Sequence, residues 1–264
     1  MISKMLDEGL LKNFIDGMYE VIYNIKSYDP DVLIFPIRGA VAINDILRIL
    51  DQDVLPSRQI EYLYSSSSIY KVNDVIREST MNLLREYHVP NEKLKIMTID
   101  EVVSGHSLAR ESKYMWMGLL DYVNYLYNNH NLDKGKTLNE IEFQSVAILD
   151  LRHKKSGKPY QKGYLKMLEQ NLVVPVGVNE NIVMDKPQYC PVKLKRKDLH
   201  TYYPEMNKFE ITLDYLELLR HIASYVGQDL KLISLQNPEA VVHSERLVPD
   251  KYKSPKELVN PEKS

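Results

Sequence analysis

Apolar residues recur at intervals of three and four positions along the first part of the chain, from Leu6 to Tyr28. This spacing predicts a helix with one buried stripe. The stripe consists of Leu11, Phe14, Met18, Ile22 and Ile25. The helix is expected to end at Asp29, because the following Pro30 disfavours helical backbone in the residue before it.

A short apolar run follows at Val32–Phe35, and its lack of polar alternation predicts a strand that is buried on both faces. The segment Pro36–Gly39 is expected to form a loop, and helical spacing returns from Ala40 to Leu50. The chain is therefore predicted to open as a helix, a buried strand, a loop that contains glycine, and a second helix.

The same alternation continues through the middle of the chain. Further strands are predicted at Gln59–Tyr64, Leu94–Ile99, Ser145–Leu149 and Leu172–Val178. Further helices are predicted at Asp74–Tyr87 and Leu108–Asn128. The last helix is expected to turn five side chains inward, those of Met115, Trp116, Leu119, Val123 and Leu126. Strands that alternate with helices indicate an α/β fold with a mostly parallel central sheet flanked by helices.

The pattern changes after residue 190. We expect an α/β domain at residues 1–190 and a C-terminal extension, helical and irregular, at residues 191–264. In the extension, Phe209–Val226 predicts an amphipathic helix, with Gly227 in the usual position after its last turn. From Ser244 onward the chain is polar and contains several prolines, which predicts an extended or disordered arm.

Composition narrows the class of protein. The chain has 264 residues and a net charge of -2, so no overall field would draw it to nucleic acid or an anionic membrane. The single cysteine, Cys190, cannot form an internal disulfide, which favours a reducing compartment. No signal-peptide pattern opens the chain, and no apolar stretch approaches the ~20 residues of a membrane span. We therefore expect a cytoplasmic protein with no membrane partner, and nucleic-acid binding is disfavoured.

Candidate chemistry is concentrated at Ile99–Ser107, where an apolar strand ends in two adjacent carboxylates, Asp100 and Glu101. A turn with two serines and Gly105 then leads into the next predicted helix. Ligands of open α/β sheets bind beyond the carboxyl ends of the strands, and free N–H groups at a helix N-terminus suit a phosphate. Carboxylates repel phosphate but accept hydrogen bonds from hydroxyls, or organise magnesium through its waters. This segment predicts a ligand with hydroxyls at one end and phosphate at the other.

The segment resembles the 5-phosphoribosyl-1-pyrophosphate (PRPP) signature of type I phosphoribosyltransferases: an apolar strand, two acidic residues, two apolar residues, and Thr/Ser-Gly-x-Thr/Ser. The resemblance implies that family's fold and an enzyme that transfers the 5-phosphoribosyl group of PRPP to a nitrogenous base, with Mg²⁺, releasing pyrophosphate. Asp100 and Glu101 would hold the ribose hydroxyls and the waters of the metal. The residues against the 5-phosphate would be Val103, Ser104, Gly105, His106 and Ser107.

Two further segments resemble parts of the same family. The segment Phe35–Ala40 is similar to the family's pyrophosphate loop, in which Arg38 and Gly39 would hold the leaving group. The segment Tyr64–Asp74 occupies the place of a flexible loop that closes over the substrate. Candidate substrate contacts within it are Tyr70 and Lys71.

Other interpretations of these residues remain open. The two acidic residues could be a solvated pair at the end of a strand, and Ser107 could simply cap the following helix. The basic segment Arg152–Lys158 could be a solvated loop or could attract a polyanionic substrate. The alternative function is a non-catalytic regulatory protein of the same fold that senses a nucleotide or PRPP. The C-terminal extension could cap the site, mediate a homodimer or recognise another partner.

Overall fold

The computed structural model describes residues 7–37, 39–55, 58–183, 189–233, 235 and 238–255. The described strands are β1 (Val32–Ile37), β2 (Gln59–Tyr64), β3 (Leu94–Val102), β4 (Ile141–Asp150), β5 (Val173–Val178), β6 (Val192–Arg196) and β7 (Tyr202–Phe209). The described α-helices are α1 (Glu8–Tyr28), α2 (Ala40–Leu50), α3 (Val72–Tyr87), α4 (His106–His130), α5 (Lys134–Glu140), α6 (Leu151–Lys155), α7 (Lys162–Glu169), α8 (Leu213–Tyr225) and α9 (Pro238–His243). None of these helices is both long enough and apolar enough to cross a membrane.

The first five strands form one parallel sheet in the order β2-β1-β3-β4-β5. Helices flank this sheet, which confirms the α/β fold that the alternation of elements predicted. The chain runs from β1 outward to β2 and then returns to β3 on the other side of β1. This reversal is a topological switch point, the place where the carboxyl ends of the strands of an open α/β sheet leave a ligand-binding crevice.

Both faces of the sheet are covered, which explains why β1 contains no polar residue. The side chains of Leu33 and Phe35 pack in the layer formed with α1, α2 and α8. Those of Val32 and Ile34 pack in the opposite layer, formed with α3 and α4. All six residues of β1 are buried, as expected for a strand that lies in the interior of a parallel sheet.

The central strands separate toward their carboxyl ends. β1 pairs with β3 only at Val32–Ile34, opposite Ile96–Thr98. In contrast, β1 stays paired with β2 as far as Ile37, and β3 stays paired with β4 as far as Val102. The crevice at the switch point therefore opens between the last residues of β1 and those of β3.

The inner face of α4 differs from the prediction at one position. Four of the five residues expected to face inward are buried, namely Met115, Leu119, Val123 and Leu126. The fifth, Trp116, is 51% exposed, so its predicted inward orientation was wrong. Trp116 follows Met115 directly and is therefore turned from it by about 100° around the helix axis. That rotation carries the indole out of the interface with the sheet.

The C-terminal extension packs on the α/β core. β6 and β7 form an antiparallel hairpin, and the Tyr215 phenol of α8 donates a hydrogen bond to the buried Asp45 carboxylate of α2. Helix α8 begins at Leu213, whereas Phe209, predicted as the first residue of this helix, ends β7 because it pairs with β6. Gly227 follows the helix with φ of 70°, as its predicted role requires.

Residues 244–255 cover the edge of the sheet, and the predicted extended or disordered arm was wrong for them. They form two short 3-10 turns, Ser244–Leu247 and Asp250–Tyr252. The Ser244 hydroxyl accepts a hydrogen bond from the backbone N–H of Tyr62 in the edge strand β2, at 3.2 Å. Leu247 and Tyr252 are buried, so a few spaced apolar side chains anchor a segment that is otherwise polar. The remainder of the predicted arm, residues 256–264, lies outside the described residues.

Candidate functional site

A cavity of about 380 Å³ opens at the switch point between β1 and β3. Its walls come from the ends of these two strands, the loop after β2, and the turn and first residues of α4. The described residues that line it are Pro36, Ile37, Gly39, Ser65, Ser66 and the continuous segment 100–108. The residues predicted to meet the ribose and the 5-phosphate therefore all line one cavity.

The N-terminus of α4 contributes unpaired backbone N–H groups to this cavity. The helix begins at His106, its N-cap is Gly105, and no described side chain caps it. Ser107 is the second residue of the helix, so its interpretation as the N-cap was wrong. The first N–H groups of a helix have no partner inside the helix, and the helix dipole adds partial positive charge there. This end of the cavity is suited to an anion such as phosphate.

The turn before α4 requires glycine at position 105 for two reasons. Gly105 has φ of 79°, a left-handed conformation that strains other residues. In addition, a Cβ at this position would lie 2.4 Å from Cγ of Tyr164, the buried aromatic residue of α7. The backbone N–H of Gln161 donates to the Ser104 carbonyl at 2.9 Å, which joins this turn to the start of α7. The turn before α4 is thus supported from behind by α7.

Asp100 lies on the side of β3 that faces α4. Its side chain is buried, and its Oδ1 accepts the backbone N–H of Glu101 at 2.9 Å. Burial raises the pKa of Asp100, while that N–H and the nearby Arg110 guanidinium oppose the rise. A carboxyl that is still able to accept hydrogen bonds in a confined space is suited to ribose hydroxyls.

Glu101 points to the opposite side of β3, toward the loop after β1. Its Oε1 accepts a hydrogen bond from the Asn181 side chain at 2.9 Å, and the Asn181 backbone N–H donates to Asp150 Oδ2 at 3.1 Å. A Cβ at Gly39 would lie 2.3 Å from Glu101 Oε2, so a larger residue there would require the Glu101 carboxylate to move. The Glu101 carboxylate is therefore held in place between the loop after β1 and the residues that follow β5.

The residues around Glu101 could be predicted from the sequence only in part. Asp150 is the last residue of β4, and Asp100 follows the apolar run of β3. Because the two strands are parallel, both carboxylates lie at the same edge of the sheet, and the sequence shows this pattern of an apolar run followed by an acidic residue. Asn181 has no such signal, because it lies in an irregular segment and reaches Glu101 only through the tertiary fold. Asp150 also accepts hydrogen bonds from Arg152, which lower the pKa of Asp150 against the effect of its burial.

A second buried carboxyl, Glu111 of α4, lies behind Asp100. Its side chain is fully buried. Burial raises the pKa of Glu111, and the neighbouring charge of Asp100 raises it further. The adjacent Arg110 donates a hydrogen bond to the backbone carbonyl of Ser65, a residue of the cavity wall. Sequence analysis did not identify Glu111, because it stands in a strongly polar stretch that is typical of an exposed helix face.

The remaining predicted contacts lie apart from the cavity or outside the described chain. Arg38 is not among the described residues. Tyr70 and Lys71 are not among the described residues that line the cavity. The Tyr70 backbone N–H donates to the carbonyl of Tyr202 at 2.8 Å, which attaches the predicted closing loop to β7. This loop is also short, because α3 already begins at Val72.

The basic segment after β4 begins as a helix. Its first residues form α6, whereas the sequence predicted a loop throughout Arg152–Lys158. The Arg152 guanidinium pairs with Asp150 and, at 3.3 Å, with Glu180. Much of the positive charge of Arg152 is therefore balanced by these two carboxylates rather than directed to a ligand.

The donor groups of the cavity fit magnesium in one particular way. Among the described residues, no three His, Cys, Asp or Glu side chains come together closely enough to hold a metal. However, Asp100 and Glu101 supply hard oxygen donors to the cavity wall. Magnesium commonly keeps several waters and is bound by one or two carboxylates plus substrate phosphates. The cavity therefore fits a magnesium ion that enters with a phosphorylated ligand, and does not fit an all-protein metal centre.

Comparisons of this chain with protein-family models, with curated proteins and with solved structures found no significant match.

Proposed function

We propose that this protein is a phosphoribosyltransferase of the type I class, which transfers the 5-phosphoribosyl group of PRPP to a nitrogenous base and releases pyrophosphate. One observation carries the proposal: the cavity at the switch point has two carboxylates on one wall and the uncapped N-terminus of α4 on another. Few ligand classes need both, because carboxylates repel phosphates whereas a helix N-terminus attracts them. A sugar phosphate needs both.

The proposed orientation of the ligand follows from the separate positions of the carboxylates and of the helix N-terminus in the cavity. The 5-phosphate lies against the first N–H groups of α4, with the hydroxyls of Ser104 and Ser107 as additional donors. The ribose 2′- and 3′-hydroxyls donate to Asp100 and Glu101. Since these two side chains leave opposite faces of β3 and still line the same cavity, they would hold the ring from two directions.

Catalysis in this proposal consists of positioning and charge stabilisation. The bond between the anomeric carbon and the pyrophosphate oxygen breaks, and pyrophosphate leaves with the electron pair. The acceptor nitrogen forms the new bond with its lone pair, and an acceptor that carries an N–H passes that proton to solvent. When bound, magnesium neutralises charge on the leaving pyrophosphate. The role of the chain is to hold the reacting groups in line, with Glu101 fixed by Asn181 and the pyrophosphate placed against the loop that contains Gly39.

The enzymatic proposal is tested by turnover. With PRPP, Mg²⁺ and a panel of purine, pyrimidine and pyridine bases, we expect pyrophosphate release with at least one base. Glu101→Gln should lower kcat/KM by about 100-fold. As pyrophosphate leaves, positive charge develops on the ribose ring, and the neutral amide cannot supply the negative charge that Glu101 places beside it. The matched control is Glu140→Gln, which removes a mostly buried carboxyl that does not line the cavity.

Two results would count against an enzyme. Binding of PRPP or a mononucleotide without pyrophosphate release from any base would overturn the catalytic assignment and favour the nucleotide-sensing alternative. Equal turnover by wild type and Glu101→Gln would remove Glu101 from the reaction.

A further inference from the structure

A second and larger cavity, of about 1080 Å³, lies in a groove between α4 and α7. We call it the α4–α7 groove. Its wall is mostly apolar and includes Met115, Trp116, Phe143, Met167 and Leu172. Trp116, the residue that was predicted to face the core, forms part of this wall. The volume of the groove lies just above the upper end of the usual range of sites for small organic molecules, about 300–1,000 Å³.

The inner end of the α4–α7 groove is polar. Thr98 and Ser145, opposite each other on β3 and β4, line it, and so does Glu111 of α4. All three residues are buried. The groove therefore combines an apolar wall with a few convergent polar groups, the arrangement that small-molecule sites favour.

Glu111 indicates what kind of ligand would fit. Its side chain is fully buried, and neither carboxylate oxygen has a hydrogen-bond partner among the described residues. Burial and the charge of Asp100 raise the pKa of Glu111, and they outweigh the Ser65 hydroxyl and the Arg110 guanidinium, which lower it. A buried carboxyl with so few partners is costly, and a ligand that donates hydrogen bonds to it would offset that cost.

We propose that the α4–α7 groove is a second small-molecule site, which takes an aromatic compound that carries an amino group. The aromatic body lies against Trp116 and Phe143, and the amino group donates to Glu111. Burial raises the pKa of Glu111, so the empty groove holds this carboxyl protonated, and a bound ammonium group would displace that proton, an exchange that no anionic group can make. The two cavities are distinct but adjacent, since His106 lines both of them.

The test uses two biphenyl probes of matched shape, biphenyl-4-ylmethylamine and biphenyl-4-carboxylate. Trp116 is the chain's single tryptophan, so its indole N–H gives one side-chain signal in a proton–nitrogen NMR spectrum. We expect the amine to shift that signal in a saturable way, with an affinity at least about tenfold higher than that of the carboxylate, as charge-assisted hydrogen bonds allow. Equal affinities of the two probes, or no shift with the amine, would overturn the proposal.

Variants distinguish the contribution of the Glu111 carboxyl to binding from that of the rest of the groove. Glu111→Gln removes the ionisable carboxyl at nearly constant shape, so the side chain can no longer give up a proton to pair with the amine. This variant should reduce the affinity for the amine by about tenfold while leaving the carboxylate probe unweakened. Gln170→Tyr fills the rim of the groove. Because Gln170 is exposed, the larger side chain should leave the fold intact, and the variant should weaken both probes. Glu140→Gln, whose carboxyl does not line the groove, should change neither affinity. Unchanged affinity for the amine in both Glu111→Gln and Gln170→Tyr would place its binding elsewhere.

Discussion

Replacement of Gly105 by alanine should both destabilise the protein and weaken phosphate binding. The left-handed backbone at 105 costs alanine about 1 kcal/mol, and its Cβ would collide with the Tyr164 ring at 2.4 Å. Because the ring is buried and cannot swing away, we expect a total loss of roughly 2–4 kcal/mol in the free energy of unfolding. The displaced turn should weaken binding of ribose 5-phosphate by about 100-fold, measured by calorimetry.

Gly157 provides the matched control for this substitution. It has φ of 73°, close to that of Gly105, but a Cβ there would meet no atom within 4 Å. Gly157→Ala should therefore show the conformational cost alone, about 1 kcal/mol, with ribose 5-phosphate affinity unchanged. If the two alanine variants lost similar stability and bound the ligand equally well, the close support of the turn by Tyr164 would be wrong.

Replacement of Glu111 by glutamine should stabilise the protein at neutral and alkaline pH. Burial first, and the charge of Asp100 second, raise the pKa of Glu111 from the usual 4.5 to about 8. Below pH 4.5 the carboxyl is protonated in both the folded and the unfolded chain. As the pH rises from 4.5 to 8 the unfolded chain loses this proton while the folded chain retains it, so wild type loses stability that the glutamine variant keeps. We expect the variant to gain roughly 2–4 kcal/mol relative to wild type across this window.

Urea unfolding of the wild type and Glu111→Gln at several pH values from 4 to 9 would measure this difference. The Glu111→Met variant, which also cannot ionise, should follow the same pH dependence and so separates the charge from the amide group. Parallel stability curves for the wild type and both variants would contradict the assignment of a raised pKa to Glu111.

The alternation of helices and strands could be predicted because burial on both faces leaves a direct mark on the sequence. The run Val32–Phe35 contains only apolar residues since β1 lies between two helical layers. The order of the strands leaves no comparable mark. Nothing in the composition of β3 shows that it returns to pair with β1, and this return creates the crevice in which the site lies.

The candidate site could be predicted where it is continuous in sequence. The segment from Asp100 to Ser107 supplies its own strand end, turn and helix start, so local chemistry suffices to identify it. The hydrogen bond between Glu101 and Asn181 joins residues far apart in the chain, and the burial of Glu111 depends on how α4 packs on the sheet. Such features follow from tertiary structure, which single-sequence patterns do not contain.

Two errors have the same physical origin. Trp116 was assigned to the core from its apolar character, and residues 244–255 were assigned to the solvent from their polar character. In both cases the prediction was based on the hydropathy of a residue or segment and not on its position in the structure. The helical angle places Trp116 beside a groove, while Leu247 and Tyr252 suffice to anchor a polar segment against the sheet edge.

The most direct test of a ribose-phosphate site is calorimetric titration with PRPP and Mg²⁺ of the wild type and the double variant Asp100→Asn/Glu101→Gln. The control is Asp53→Asn/Glu92→Gln, which removes two exposed carboxylates that do not line the cavity. We expect saturable binding by the wild type and the control, and a loss of at least about 100-fold in affinity for the double variant, since both ribose hydroxyls lose their charged acceptors. Wild type that fails to bind PRPP, or a double variant that binds it as tightly, would contradict the proposed site.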